Sequence, residues 1–221
     1  MRVLLSRLQS PTRHPIPAYD FWRSYFVTGC AEAGIQCLEV PSVDWALGLA
    51  LPSGAGHEAW RATAWQATLD YSRREQAREP IDFFLGYLYP RQVEVSAILD
   101  LQGMGIPCVN FFCDNVREFR RVPPQFIPFD LHWVPEFEAL PMYRRAGLPH
   151  LHAPMPCWVR PALRFAASAE TDPPTFIGSA DRLRRDLLAR AQQAGAEIVA
   201  RGTGWASPDG AQVRSDSASG L

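Results

Sequence analysis

Residues 111–119 read FFCDNVREF, an apolar run that passes directly into Asp114, Asn115 and Glu118. A carboxylate just past a strand end can orient an attacking hydroxyl or accept its proton. Asp114 is the first candidate for that role, and Asn115 beside it can hydrogen-bond a ligand hydroxyl. The alternative is that Asp114 or Asn115 only caps the turn that follows. Glu118 lies four residues beyond Asp114, so on a helix both share one face. That pair either grips a ligand or sits on a solvated surface. Arg117, with Arg120 and Arg121, makes a small basic cluster. It can meet a phosphate, or it is a solvated turn.

A second polar stretch, SRLQSPTRHPIPAYDFW, holds Arg13, His14, Tyr19 and Asp20. His14 is a second candidate base, with Arg13 and Tyr19 as ligand contacts, against the reading of an ordinary surface loop. The stretch lacks G-x-G-x-x-G, so it is no dinucleotide cradle. Tyr87 and Tyr89 close an apolar run, where they either stack on a ring or pack in the core. His132 reads as a satisfied histidine near the core. Glu136 reads as a cap or dipole partner of its own helix. His150 and His152 share one side of a strand, but no third metal ligand accompanies them. Gly178 and Ser179 end a later strand, where backbone amides can meet phosphate, unless Ser179 or Asp181 is a plain N-cap. Gly202 and Gly204 permit close backbone approach, and Trp205 is a lid, a stacking surface or core.

The elements that must position these residues alternate. Strands are expected over residues 2–5, 35–40, 81–89, 106–113, 129–134 and 150–153, with helices over 21–33, 57–78, 92–104 and 136–146. Residues 42–57 read as irregular. The helix over 57–78 presents Trp60, Ala64, Ala67 and Tyr71 at helical spacing. Continuous rather than alternating apolar strands point to an α/β fold, a Rossmann-like parallel sheet flanked by helices. A proline- and alanine-rich linker is expected over 157–174. One further strand–helix–strand unit follows at 175–205, an incomplete second Rossmann-like unit, and then a disordered tail at 206–221. Such a unit must lean on the first domain, pair in a homo-oligomer, or belong to a chain missing its C-terminal half.

Composition excludes several classes. The 221 residues are 47% hydrophobic and 20% charged with net charge −1, so no basic field suggests nucleic acid. No apolar run reaches the length of a membrane span, and the N-terminus lacks the form of a signal peptide. Five cysteines without a close Cys-x-x-Cys pair suggest a reducing, cytoplasmic setting rather than a disulfide framework or zinc site.

Three stretches together carry a family likeness: FFCDNVREF, FDLHWVPEFEALPMYRRAGLPHLHAPMP and PPTFIGSADRLRRDLLARAQQAGAEIVARGTGW. The chain resembles glycosyltransferases of the two-Rossmann-domain (GT-B) class, and among them the branch that includes the spore maturation protein CgeB. The last stretch, with Phe-Ile-Gly-Ser and then Gly202, Gly204 and Trp205, is the most specific. The likeness covers residues 81–205 well and the first eighty only in general plan. It implies an acceptor-binding domain over 1–156 and the start of a nucleotide-sugar-binding domain over 175–205. Asp114 or His14 would be catalytic. Asn115, Glu118, Arg13, Tyr19, Tyr87 and Arg117 would contact acceptor or donor, and Gly178, Ser179, Gly202, Gly204 and Trp205 would border the donor. The partners implied are a nucleotide-sugar and an unidentified acceptor. No Asp-x-Asp motif is present, which suits a metal-independent, cofactor-free transfer. The family's donor-binding acidic residue falls beyond the matched region. The alternative is a non-catalytic binding or partner module.

Overall fold

A computed structural model describes residues 1–12, 22–41, 43–164, 174–202 and 204–205. The chain forms two compact units, Met1–Arg160 and Pro161–Leu221. Six short strands build the first: β1 (Arg2–Ser6), β2 (Gln36–Leu38), β3 (Phe83–Gly86), β4 (Cys108–Phe111), β5 (Leu131–Val134) and β6 (His150–His152). All pair in parallel, in the order β2-β1-β3-β4-β5-β6. This is a doubly wound α/β sheet. The chain leaves β1 toward β2, then crosses back to the other side of β1 to lay down β3. The strand order therefore reverses between β1 and β3, and the crevice outside their carboxyl ends is where such sheets bind ligands.

The apolar strands are apolar because both faces are covered. Every residue of β1 is buried. Trp22, Phe26, Tyr87, Phe111 and Trp133 form one aromatic cluster, with Trp22 and Tyr87 ring centroids 4.6 Å apart. Trp45, Trp65 and Phe84 interlock in another. The strands are shorter than their apolar runs. After Gly86 the chain leaves β3, and Tyr87 N–H donates to the Ser6 carbonyl at 2.7 Å. Residues 87–89 lie outside the strand, although Tyr87 and Leu88 stay buried.

The helices are α1 (Gly29–Glu32), preceded by a π-helical turn at Ser24–Thr28, then α2 (Leu47–Ala50) and α3 (Ala55–Arg78). They continue with α4 (Val95–Gly103), α5 (Asn115–Glu118) and α6 (Leu140–Arg145). Helix α2 lies within the segment expected to be irregular. Its single turn is started by Asp44, whose Oδ1 accepts the Leu47 N–H at 2.9 Å. So short a helix shows no periodicity in sequence. Helix α3 is rotated from its expected face: it buries His57, Ala64, Trp65, Thr68, Leu69 and Ser72. Two of these are hydroxyl residues that return their protons to the helix. Thr68 Oγ1 donates to the Ala64 carbonyl at 2.8 Å, and Ser72 Oγ to that of Thr68 at 2.7 Å. With their polar atoms satisfied, they pack as small residues. The expected helix over 136–146 divides into a 3-10 turn at Phe137–Ala139 and α6, with Pro141 in the first turn of α6.

Arg2 ties the start of β1 to the end of α3. Its guanidinium is buried 2.7 Å from Glu75, and its backbone N–H donates to Asp82 at 2.6 Å. Gly48 of α2 meets the Trp60 indole so closely that a Cβ there would lie 2.0 Å from the ring. The indole cannot swing away, because Nε1 donates to the Asp44 carbonyl at 3.2 Å and the ring packs edge-on against Trp45. Gly48→Ala is therefore expected to cost about 1–3 kcal/mol through overpacking. Urea unfolding checks this, and an unchanged midpoint would mean that α2 repacks freely.

The second unit contains β7 (Thr175–Ile177), α7 (Arg182–Gln193) and β8 (Val199–Arg201), with the two strands parallel. Asp181 caps α7: its Oδ1 accepts the Arg184 N–H at 2.9 Å. Among the described residues no helix is long and apolar enough to cross a membrane.

Candidate functional site

The loops at the carboxyl ends of β1, β3, β4 and β5 carry most of the candidate residues. The loop after β1 begins with Arg7, whose guanidinium lies 2.8 Å from Glu39, and Gln9, whose Oε1 accepts the Arg7 N–H at 2.9 Å. Ser10 Oγ donates to Asp44 at 2.7 Å. Arg13, His14 and Tyr19, with Asp20, lie outside the described residues. After β3, Gln92 holds the turn. Its Oε1 accepts the Tyr89 N–H at 2.8 Å, its Nε2 donates to the Trp45 carbonyl at 2.5 Å, and its carbonyl receives Trp65 Nε1 at 2.7 Å. Nothing in the local sequence PRQ signals the bonds to Trp45 and Trp65, because those partners are distant in sequence.

Asp114 occupies the N-cap position of α5, with non-helical φ −117° and ψ 33°, yet its side chain makes no capping hydrogen bond. The cap comes from another strand. Glu136, just past β5, accepts the Asn115 N–H at 2.6 Å and lies 3.4 Å from that of Val116. Sequence reading had assigned Glu136 to its own helix. The carboxylate instead crosses to the neighbouring loop and neutralises the exposed amides of α5. Asp114 is thereby relieved of the cap. Among the described residues its half-buried carboxylate has no hydrogen bond or ion pair. Its charge is felt by the tyrosines of the β3 loop. Tyr89 is pushed up to about 12 by burial, then by Asp114 and Glu118. Cys113 is pushed up to about 11, chiefly by burial.

Asn115 turns out to face the interior. It is fully buried, its Nδ2 donates to the Phe112 carbonyl at 2.6 Å, and its Oδ1 accepts the Tyr143 hydroxyl at 2.8 Å. One end of the amide ties α5 to α6 and the other to the end of β4, so both are committed within the fold. Of the two readings of Tyr87, ring stacking or core packing, the structure has the second. Tyr87 is 4% exposed and surrounded by Trp22, Phe111 and Phe112, with its hydroxyl 3.6 Å from Cys113 Sγ. Burial raises its pKa well above the usual phenol range. Tyr89, two residues further along the loop and half-buried, is the ring that the site can present. Glu118 and Arg117 are exposed on α5 and lie 3.9 Å apart.

The histidines serve the sheet. His132 is fully buried beside Asn110 on β4, with its Nδ1 3.4 Å from Asn110 Nδ2, and burial holds its pKa down at about 4. It is less satisfied than expected, because its Nε2 is buried with no hydrogen-bond partner. His150 Nδ1 donates to the Leu148 carbonyl at 2.8 Å and His152 Nδ1 to that of Val134 at 3.0 Å. Among the described residues no three His, Cys, Asp or Glu side chains gather as a metal site. All five cysteines are free thiols, and burial pushes Cys108 up to about 12.

In the second unit the glycines serve a backbone crossing. The Gly178 N–H donates to the Arg201 carbonyl at 2.9 Å, so this amide is part of the ladder and is not available to a phosphate. Gly202, at φ +128°, passes the Gly178 carbonyl so closely that a Cβ would lie 2.4 Å from its oxygen. Only glycine fits both conditions. Trp205 locks the crossing: its Nε1 donates to the Gly178 carbonyl at 2.7 Å, its ring meets Phe176 edge-on, and Arg185 lies over it. Ser179 Oγ accepts from Arg184 at 2.9 Å, and Arg185 donates to the Gly204 carbonyl at 2.7 Å.

Comparison with known proteins gives little beyond this geometry. No protein-family model matches the sequence, and no curated protein does. Among solved structures, the chain is similar to a UDP-glucosyltransferase from Polygonum tinctorium, described as capable of glucosylating indoxyl and solved in complex with 3,4-dichloroaniline. The identity is 12% and the TM-score 0.47, over 90% of this chain and 65% of that one. This chain therefore spans slightly less than two thirds of that protein's length.

Proposed function

We propose that the Met1–Arg160 unit is the acceptor-binding domain of a glycosyltransferase of the GT-B class, in the CgeB-like branch. It would position a hydroxyl group for attack on a nucleotide-sugar. The observation that carries this reading is Asp114. Its carboxylate stands at the carboxyl end of β4 with no protein partner among the described residues, while Glu136 caps α5 in its place. A half-buried carboxylate freed from structural duty can accept the proton of an attacking hydroxyl. Tyr89 supplies an aromatic edge beside it, and the strand order puts ligands at this end of the sheet. The resemblance of FFCDNVREF and the Phe-Ile-Gly-Ser to Gly-x-Gly-Trp stretch supports the same class. On this reading the second unit belongs to the donor side, without metal or organic cofactor.

A second reading, a binding module without transfer, rests on the described part of the second unit, which contains two strands and one helix. The test incubates the chain with UDP-, GDP- and TDP-sugars and a panel of hydroxylated acceptors. Acceptors gaining the mass of one sugar residue support the transferase. Acceptor-induced NMR shifts confined to residues 87–89 and 113–118, without transfer, support the module. Absence of both transfer and acceptor-induced shifts would sink both readings.

A further inference from the structure

The residues after α5 and the outer side of α6 enclose a cleft of about 240 Å³, lined by Arg120, Arg121, Val122, Met142, Arg145 and Ala146. Val122 and Met142 are each 7% exposed and give it an apolar floor. The three arginines around it are exposed. No acidic side chain lines the cleft. Among the described residues none of the three has an ion pair or a side-chain hydrogen bond, and Glu138 on the preceding turn reaches none of them.

Several arginines elsewhere in this unit are paired. Arg2, Arg7, Arg61, Arg73 and Arg78 each lie within 3.3 Å of a carboxylate. Arg117, at the start of the same basic run, has Glu118 beside it. At this cleft, three guanidinium groups without an acidic partner border one concave surface. Like charges converging on one cleft repel unless an anion joins them. Guanidinium forks match the oxygen pairs of phosphate, and such charge-assisted bonds are the stronger kind. The volume is below the roughly 300–1,000 Å³ of sites for drug-sized ligands, which favours a phosphate or diphosphate group over a whole nucleotide.

We propose that this cleft is a phosphate-binding site for the phosphomonoester or diphosphate group of a small ligand. It is separate from the Asp114 loop, and either assignment can fail without the other.

The test titrates pyrophosphate into the intact chain by calorimetry at about 0.15 M salt, where distant surface charges are largely screened. The expected result is one saturable site, weakened about tenfold or more when Arg121→Ala and Arg145→Ala are combined. The control combines Arg73→Ala and Arg78→Ala, which removes the same charge from α3 and should leave binding unchanged. No saturable binding at millimolar pyrophosphate overturns the proposal, as does an equal loss in both double variants. Vesicles of phosphatidylcholine with phosphatidic acid form a second arm. Sedimentation that depends on Arg121 and Arg145, without pyrophosphate binding, would assign the cleft to a membrane surface and also overturn the proposal.

Discussion

On the proposed reading, Asp114→Asn is expected to lower sugar transfer by about 10²–10⁴-fold, the range typical of losing a general base. The asparagine keeps the shape and hydrogen-bonding reach of the side chain and removes only its basicity. Stability separates this from a structural role without needing a substrate. If Asp114 were the cap of α5, Asp114→Ala would cost about 1 kcal/mol. Because Glu136 provides the cap, that variant should unfold at the wild-type urea midpoint, and Glu136→Ala should carry the loss instead. A destabilised Asp114→Ala beside a wild-type Glu136→Ala would return Asp114 to the role of a turn residue. Full transfer activity in Asp114→Asn would remove its catalytic role.

The second large effect is acid destabilisation through His132. Its pKa is held down at about 4 by burial, with His150 on the next strand adding to the depression. In the unfolded chain it returns to about 6.5. Above that value it is neutral in both states, and the full stability is present. As pH falls below 6.5, the unfolded chain takes up a proton that the folded chain refuses, so stability is lost at up to about 1.4 kcal/mol per pH unit. The loss amounts to about 2 kcal/mol by pH 5 and levels off near the folded pKa. His132→Phe removes the titrating group while keeping an aromatic ring next to Tyr143 and Phe129. It is expected to lower stability at neutral pH, because Asn110 loses its neighbour, but to flatten the profile between pH 6.5 and 5. A profile as steep as that of the wild type would place the acid sensitivity elsewhere. Urea titrations at half-unit pH intervals make the comparison.

Both predictions depend on features that local pattern could not carry. The parallel α/β class was legible because strands buried on both faces read as continuous apolar runs: RVLLS, FFLG and CVNF are strands in the structure. Strand ends were not legible, since apolar residues such as Tyr87 and Leu88 remain buried after the ladder has ended. The face of α3 was misjudged because Thr68 and Ser72 read as polar in sequence. In the helix their hydroxyls are absorbed by carbonyls four residues back.

At the candidate site, Asp114 was visible from its position at the end of an apolar run. The division of labour around it was not. Asn115 appeared as a ligand group and is a buried tie, while Glu136 appeared to serve its own helix and serves α5. Tyr87 and Tyr89 were indistinguishable by type, and burial alone separates them.

By itself, then, the amino-acid sequence determined the alternation of the six parallel strands with the longer helices, and it narrowed the cap of the 182–193 helix to Ser179 or Asp181. These depend on neighbours a few residues apart and on the bare need to bury apolar surface. Tertiary structure decided which carboxylate caps α5, which is left free, and which histidine is held neutral. Each of those outcomes depends on a partner some twenty residues away, brought adjacent by the pairing of β4 with β5. Hydrogen bonds and desolvation act over a few ångströms, so they are settled only once the sheet has formed. FFCDNVREF therefore contains both kinds of information. Its apolar half specified a strand, and its polar half acquired its roles from Glu136 and Tyr143 across the sheet.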